Sequence, residues 1–167
     1  MNVRPELGEK VAERFKEEVR RVRKYKVREL CLITHSIDEG FVKEYVEPFF
    51  THVRLIVDAS SLERDRRRQA GLWRTLAQLS GTYKKRLSVR QRANVYATLL
   101  LASTRRGARF GMLIDTPAWA SLWSQGAGPW LTMFTSDEDE LALLQKSFDE
   151  LFKSAKLVKL RKAKLGG

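Results

Sequence analysis

Two histidines and a few acids are the residues in this chain whose types suit chemistry. His35 closes an apolar run, ELCLITH at 29–35, and His52 stands just ahead of another, VRLIV at 53–57. A histidine at the carboxyl end of a strand lies where open α/β sheets place ligands. With Asp58 and Asp115, His35 has the makings of a Mg²⁺ site for phosphodiester cleavage, because hard cations take carboxylate oxygens. Each residue also has a plainer use. Asp38 suits a helix cap, Asp58 and Asp115 suit turns, and a lone strand-end histidine is usually satisfied by its own fold. No HExxH or His-x-x-x-His pattern supports zinc, and no GxxxxGK[ST], GxGxxG or GxSxG pattern occurs. The single cysteine, Cys31, can form no internal disulfide and reads as a packing residue within its strand. No catalytic residue, metal or cofactor is expected, and on this reading the chain is not an enzyme.

Charge gives a more specific signal. The 167 residues carry 32 Lys+Arg against 20 Asp+Glu, net +12. Residues 1–60 and 121–167 are each net +1, whereas 61–120 hold 13 basic and 3 acidic side chains, net +10. Eleven of those 13 are arginines, whose planar fork suits phosphate oxygens. The cluster comprises Arg64, Arg66, Arg67, Arg68, Arg74, Lys84, Lys85, Arg86, Arg90, Arg92, Arg105, Arg106 and Arg109. Clustered charge of one sign points to a polyanion. A solvated surface of the thermophile type would interleave both signs, as residues 1–60 do. Aromatic residues form a second cluster: Trp119, Trp123 and Trp130 place three of the four tryptophans within twelve residues. They suit base stacking, a ligand pocket or a protein partner, and equally ordinary core packing.

The elements that must position these residues follow from periodicity. Residues 5–26 predict an amphipathic helix on Val11, Phe15, Val19 and Val22, with Pro5 in its first turn. Strands at 29–35 and 53–57, with a helix between them on Phe41, Val42, Tyr45, Val46 and Phe49, have the length of a βαβ unit and so predict a parallel pair. Residues 62–79 predict a helix that Gly81 ends. Ser88 and Gln91 match a capping box, and Val89, Ala93, Tyr96, Leu99 and Leu100 follow at helical spacing. By propensity alone VYATLLLAS suits a strand; helix is the expectation for 89–104. RFGMLID at 109–115 and WLTMF at 130–134 are further strands, with a loop over 116–128. A last helix starts at Ser136 in an acidic turn and runs on Leu141, Leu144, Phe148, Leu151 and Phe152 into a basic tail.

The ending RFGMLIDTPAWASLW…PWLTMFTSDEDELALLQKSFDELFKSA, after a strand, helix, strand start, resembles phospholipase D-like domains. It is most similar to the catalytically silent version found in TrmB-type archaeal regulators. An active member of that family needs a His, a Lys two residues on and an Asp five further. Counted back from Asp115, those positions hold Ala108 and Phe110. The resemblance therefore implies a phospholipase D-like fold without that family's phosphodiesterase chemistry. The winged-helix domain that precedes this region in TrmB-type regulators finds no counterpart in the sequence.

These readings predict one α/β domain over 1–167: a small, partly parallel sheet of about four strands flanked by helices, with an N-terminal amphipathic helix and a basic C-terminal tail. They predict a non-enzymatic nucleic-acid-binding protein, for DNA or RNA, that uses an arginine-rich face over 61–109. The alternatives are a protein-interaction or ligand-sensing module with Trp119, Trp123 and Trp130 as its surface and, further off, a metal-dependent nuclease. No apolar run approaches the 18–20 residues of a membrane span and no leader pattern opens the chain, so a cytoplasmic, membrane-free location is expected. Few asparagines and glutamines among many charges suggest a thermophile.

Overall fold

Along the inner strands apolar side chains point alternately to two covered faces, and this alternation builds the sheet. The protein is described from a computed structural model covering the backbone of residues 2–23, 29–68, 74, 76, 77 and 87–159, with the side chains of all but 2, 22, 23 and 65–68. Eight strands form one mixed sheet: β1 (Asn2–Glu6), β2 (Glu29–Thr34), β3 (His52–Asp58), β4 (Leu87–Arg92), β5 (Thr98–Thr104), β6 (Gly107–Ile114), β7 (Trp130–Thr135) and β8 (Lys156–Leu157). Their spatial order is β1-β7-β6-β5-β2-β3-β4-β8. Five helices are described: α1 (Gly8–Arg23), α2 (Glu39–Phe41, continuing as a π-turn over Val42–Val46), α3 (Ala59–Arg68), α4 (Ala120–Ser124) and α5 (Glu138–Ser154).

The sheet corrects the expectation of about four strands: there are eight, and the fold is still α/β. Three local causes account for the difference. Pro5 lies in edge strand β1, where a missing N–H is tolerated, and α1 starts only at Gly8. Residues 89–104 form no helix. They make the end of β4, a loop and the whole of β5, in which Leu99, Leu100, Leu101 and Ala102 are all buried, as a strand covered on both faces allows. The third is β8, two residues after α5 that pair with Arg90 and Gln91. Within the predicted loop over 116–128 lies α4, and Asp137, one residue past Ser136, caps α5 through Glu140 N at 3.0 Å. Of the predicted helix over 62–79, α3 covers the part to Arg68, and residues 74, 76 and 77 are helical. The tail over 160–167 lies outside the described residues.

The parallel pair forms as the βαβ spacing predicts, from Glu29↔His52 to Thr34↔Val57. Strand β4 continues it in parallel beyond β3, whereas β5 returns on the other side of β2 in antiparallel sense. The carboxyl ends of β2, β3 and β4 thus share one end of the sheet with the start of β5, and the β5–β6 hairpin tip is at the opposite end. On one face α1, α2 and α4 bring Phe15, Phe41, Tyr45 and Trp123 onto Leu30, Leu32, Leu55 and Phe110, with the Phe41 and Trp123 rings 4.9 Å apart. On the other, α5 lays Leu141 and Phe148 over Cys31, Ile56 and Leu101. No helix among the described residues is long and apolar enough to cross a membrane.

Candidate functional site

The carboxyl end of the sheet holds a buried polar cluster. Asp58, the last residue of β3, is 3 % exposed. Its Oδ1 accepts from Ser60 N (2.9 Å), the Ser60 hydroxyl (2.5 Å) and Ser61 N (3.2 Å), which ties down the first turn of α3. Its Oδ2 accepts from Val95 N at 3.0 Å. Burial alone pushes this carboxyl up. The Ser60 hydroxyl and the backbone N–H groups of Val95, Ser61 and Ser60 outweigh it and bring the pKa down to about 2.

His35 follows β2, and its Nδ1 lies 2.8 Å from Val95 O and 4.0 Å from Asp58 Oδ2. A carbonyl can only accept, so Nδ1 carries the proton. Both polar backbone groups of Val95 are therefore held, one by Asp58 and one by His35, and they fix the loop that carries the chain from β4 to β5. Beneath the loop Thr98 donates to Thr116 O (2.5 Å) and Thr34 accepts from Ala118 N (3.1 Å). Asp38 Oδ1 accepts from Phe41 N (2.7 Å) and Ala120 N (3.3 Å), so one carboxylate starts both α2 and α4. On the loop itself, Asn94 takes a left-handed φ of 62° and Tyr96 is 75 % exposed. Sequence reasoning put Tyr96 in an apolar helical stripe and missed this presentation; only the exposure of the ring reveals it.

The histidines and acids do not converge as a metal site. His52 begins β3, at the other end of the sheet from His35, and contacts the Thr51 hydroxyl at 3.1 Å. Asp115 follows β6, with β5 standing between that strand and β2, and its side chain is exposed. Among the described residues no three His, Cys, Asp or Glu side chains come together as metal ligands. Ala108 and Phe110, the positions counted back from Asp115, are half-buried and buried on β6. Cys31 is buried, and burial pushes its thiol up to about 12, out of the reactive range.

The described arginines are divided among three places. Arg64 on α3 and Arg74 are exposed. On β4, Arg90 and Arg92 point to the α5 face. Arg90 Nη1 donates to Phe152 O (2.9 Å) and Ala155 O (3.3 Å) and its guanidinium lies over the Phe152 ring at 4.5 Å, so it is half-buried structure at the helix end. Arg92 is exposed and reaches the Ser154 hydroxyl at 3.4 Å. Arg105 and Arg106 are exposed at the tip of the β5–β6 hairpin, and Arg109 Nε donates to the Thr104 hydroxyl at 3.3 Å. The side chains of Arg66, Arg67 and Arg68, and the whole of Lys84, Lys85 and Arg86, lie outside the described residues.

The tryptophans serve the core more than the surface. Trp123 is fully buried, Trp119 is half-buried with its indole N–H donating to the Ser36 hydroxyl at 3.0 Å, and Trp130 packs against the core beside Gly8.

No family model matches the sequence, and no curated protein matches it. Solved structures do match the fold. TrmBL2, an archaeal chromatin protein described as showing a novel mode of DNA binding, superposes with a TM-score of 0.56 at 12% identity over 94% of this chain and 54% of its own. This chain therefore spans about half the length of that protein. NucT from Helicobacter pylori matches with a TM-score of 0.60 at 9% identity, over 94% of this chain and 100% of its own. Nuc from Salmonella typhimurium, a phospholipase D family member, matches with a TM-score of 0.62 at 6% identity, over 95% and 98%. These matches overturn the expectation that the chain is not an enzyme, since a fold shared with a phospholipase D family member gives no ground for excluding catalysis. These superpositions, over most of the chain, place it in the phospholipase D-like fold of Nuc, which TrmBL2 shares.

Proposed function

We propose that this protein binds nucleic acid, DNA or RNA, through phosphate contacts made by arginines between residues 61 and 109. One observation carries the reading: Arg64, Arg74, Arg92, Arg105 and Arg106 are exposed, and among the described residues none of them stands in an ion pair. Charges of one sign left unpaired at a surface favour an anionic partner. Their spread adds to this. Strand β5 is seven residues long, so the hairpin tip and the end of β4 are roughly 20 Å apart along the strands. A small phosphate ligand cannot touch both, and a polyanion can. The described association of TrmBL2 with DNA, on the same fold, supports the same direction.

Binding of this kind works by release of condensed counterions, and its affinity falls steeply with salt. The test is a titration of duplex and single strands at several salt concentrations, with strand integrity followed in the same samples so that cleavage is scored beside binding. A linear fall of log affinity with log salt is expected. Failure to bind either form at low salt overturns the reading.

A further inference from the structure

We infer that Tyr96 is a stacking platform for an unpaired nucleobase, held in place by the Asp58–His35 clamp on Val95. This rests on the nucleic-acid reading above and names the form of nucleic acid that the carboxyl end of the sheet takes.

The ring is the most exposed large apolar side chain among the described residues, at 75 %. It nevertheless sits in a fixed stretch of chain. On its amino side, Val95 is buried, and both its N–H and its C=O are bonded, to Asp58 at 3.0 Å and His35 at 2.8 Å. Two residues on, Thr98 is buried and donates to Thr116 O. The Tyr96 hydroxyl donates to Asn94 Oδ1 at 3.2 Å, which limits rotation of the ring, and Asn94 makes the turn with its left-handed backbone. A ring carried on a backbone held in this way loses less entropy when something stacks on it than one on a free loop. The cation of Arg92, exposed four residues upstream, stands at the same end of the sheet for a backbone phosphate.

A flat, exposed π-surface on a held backbone, with an arginine four residues earlier at the same end of the sheet, fits the base of a single strand. Within a duplex both faces of a base are covered by its neighbours, and stacking on a protein ring there costs the unstacking of a step, so an unpaired base is favoured. The clamp's residues act through Val95 and are positioning residues; Tyr96 makes the contact.

The experiment compares wild type, Tyr96→Ala and Tyr96→Phe for binding to a single strand and to a duplex, each over a range of salt. The site of substitution is exposed, and unfolding curves measured alongside test that the three proteins are equally folded. Tyr96→Ala is expected to bind the single strand about tenfold more weakly, the effect of removing one stacked base, with the duplex little changed. Its salt slope stays at the wild-type value, since no charge is removed, and Tyr96→Phe, which keeps the ring and loses only the exposed bond to Asn94, binds the single strand within about threefold of wild type. A wild type that binds while Tyr96→Ala binds the single strand equally well overturns the stacking site and leaves the arginine reading standing. A wild type that binds neither form overturns both.

Discussion

The Asp58 carboxylate accepts four hydrogen bonds and is kept ionised by the fold well below its ordinary range. A folded pKa of about 2 lies under the ordinary 3.8, so the stabilisation is complete above about pH 4 and is lost as pH falls through 2. Such a shift is worth about 2 kcal/mol. Asp58→Asn is therefore expected to lower stability by about 2 kcal/mol at pH 7 in urea unfolding, with the gap from wild type closing between pH 4 and pH 2. A constant gap across that window would assign the stabilisation to shape and not to charge. Arg90 makes the complementary case. Its bonds to the last carbonyls of α5 and its place over Phe152 make it a helix cap, so Arg90→Ala should cost about 2 kcal/mol in thermal unfolding while leaving the salt slope of nucleic-acid binding as it was. Arginine was legible at this position as charge. That the charge is spent on a helix end is decided by β8, which brings the end of α5 beside β4.

At the scale of elements, the start of α1 depends on a close approach. Gly8 N donates to Ala127 O at 2.6 Å, and a Cβ at Gly8 would stand 2.2 Å from Leu122 O and 2.6 Å from the Trp130 ring. The nearer of these is the backbone of α4, which cannot swing aside as a flexible side chain would. Gly8→Ala should therefore destabilise the fold by about 3 kcal/mol in urea unfolding, the range of overpacked cores. In α2, a Cβ at Gly40 meets nothing nearer than 3.4 Å, and Gly40→Ala should change stability by less than about 1 kcal/mol. The βαβ unit was legible because its apolar runs and turn residues repeat at the right intervals. The segment 89–104 was not. A fully buried strand and one face of a helix both appear as a short apolar run, and only the presence of β2 and β6 on either side of β5 separates them.

At the scale of the whole molecule, the charge of +12 acts as a field and as a set of separate contacts. Each phosphate neutralised on a duplex contributes about 0.9 to the slope of log affinity against log salt. Replacing both hairpin-tip residues, Arg105→Ala with Arg106→Ala, should therefore flatten that slope by about 2 while leaving unfolding unchanged, because both side chains are exposed and unpaired among the described residues. An unchanged slope would move the phosphate contacts to the other arginines. The three predicted effects are separable: Arg90 reads in stability, the hairpin tip in slope, and Tyr96 in affinity for unpaired strands.

By itself the sequence determined the α/β class, the parallel start, the burial of Cys31 and the concentration of charge between 61 and 120, because composition and periodicity are local properties of the chain. It carried enough of the phospholipase D-like pattern for the fold to be anticipated from the order of its elements. Only the tertiary structure decided the number of strands, which of the arginines remain exposed and that Tyr96 stands outside the core. Asp58, His35 and Val95 lie 37 and 60 residues apart in pairs, and contacts over such separations follow from strand order and register, which the spacing of residues along the chain does not encode.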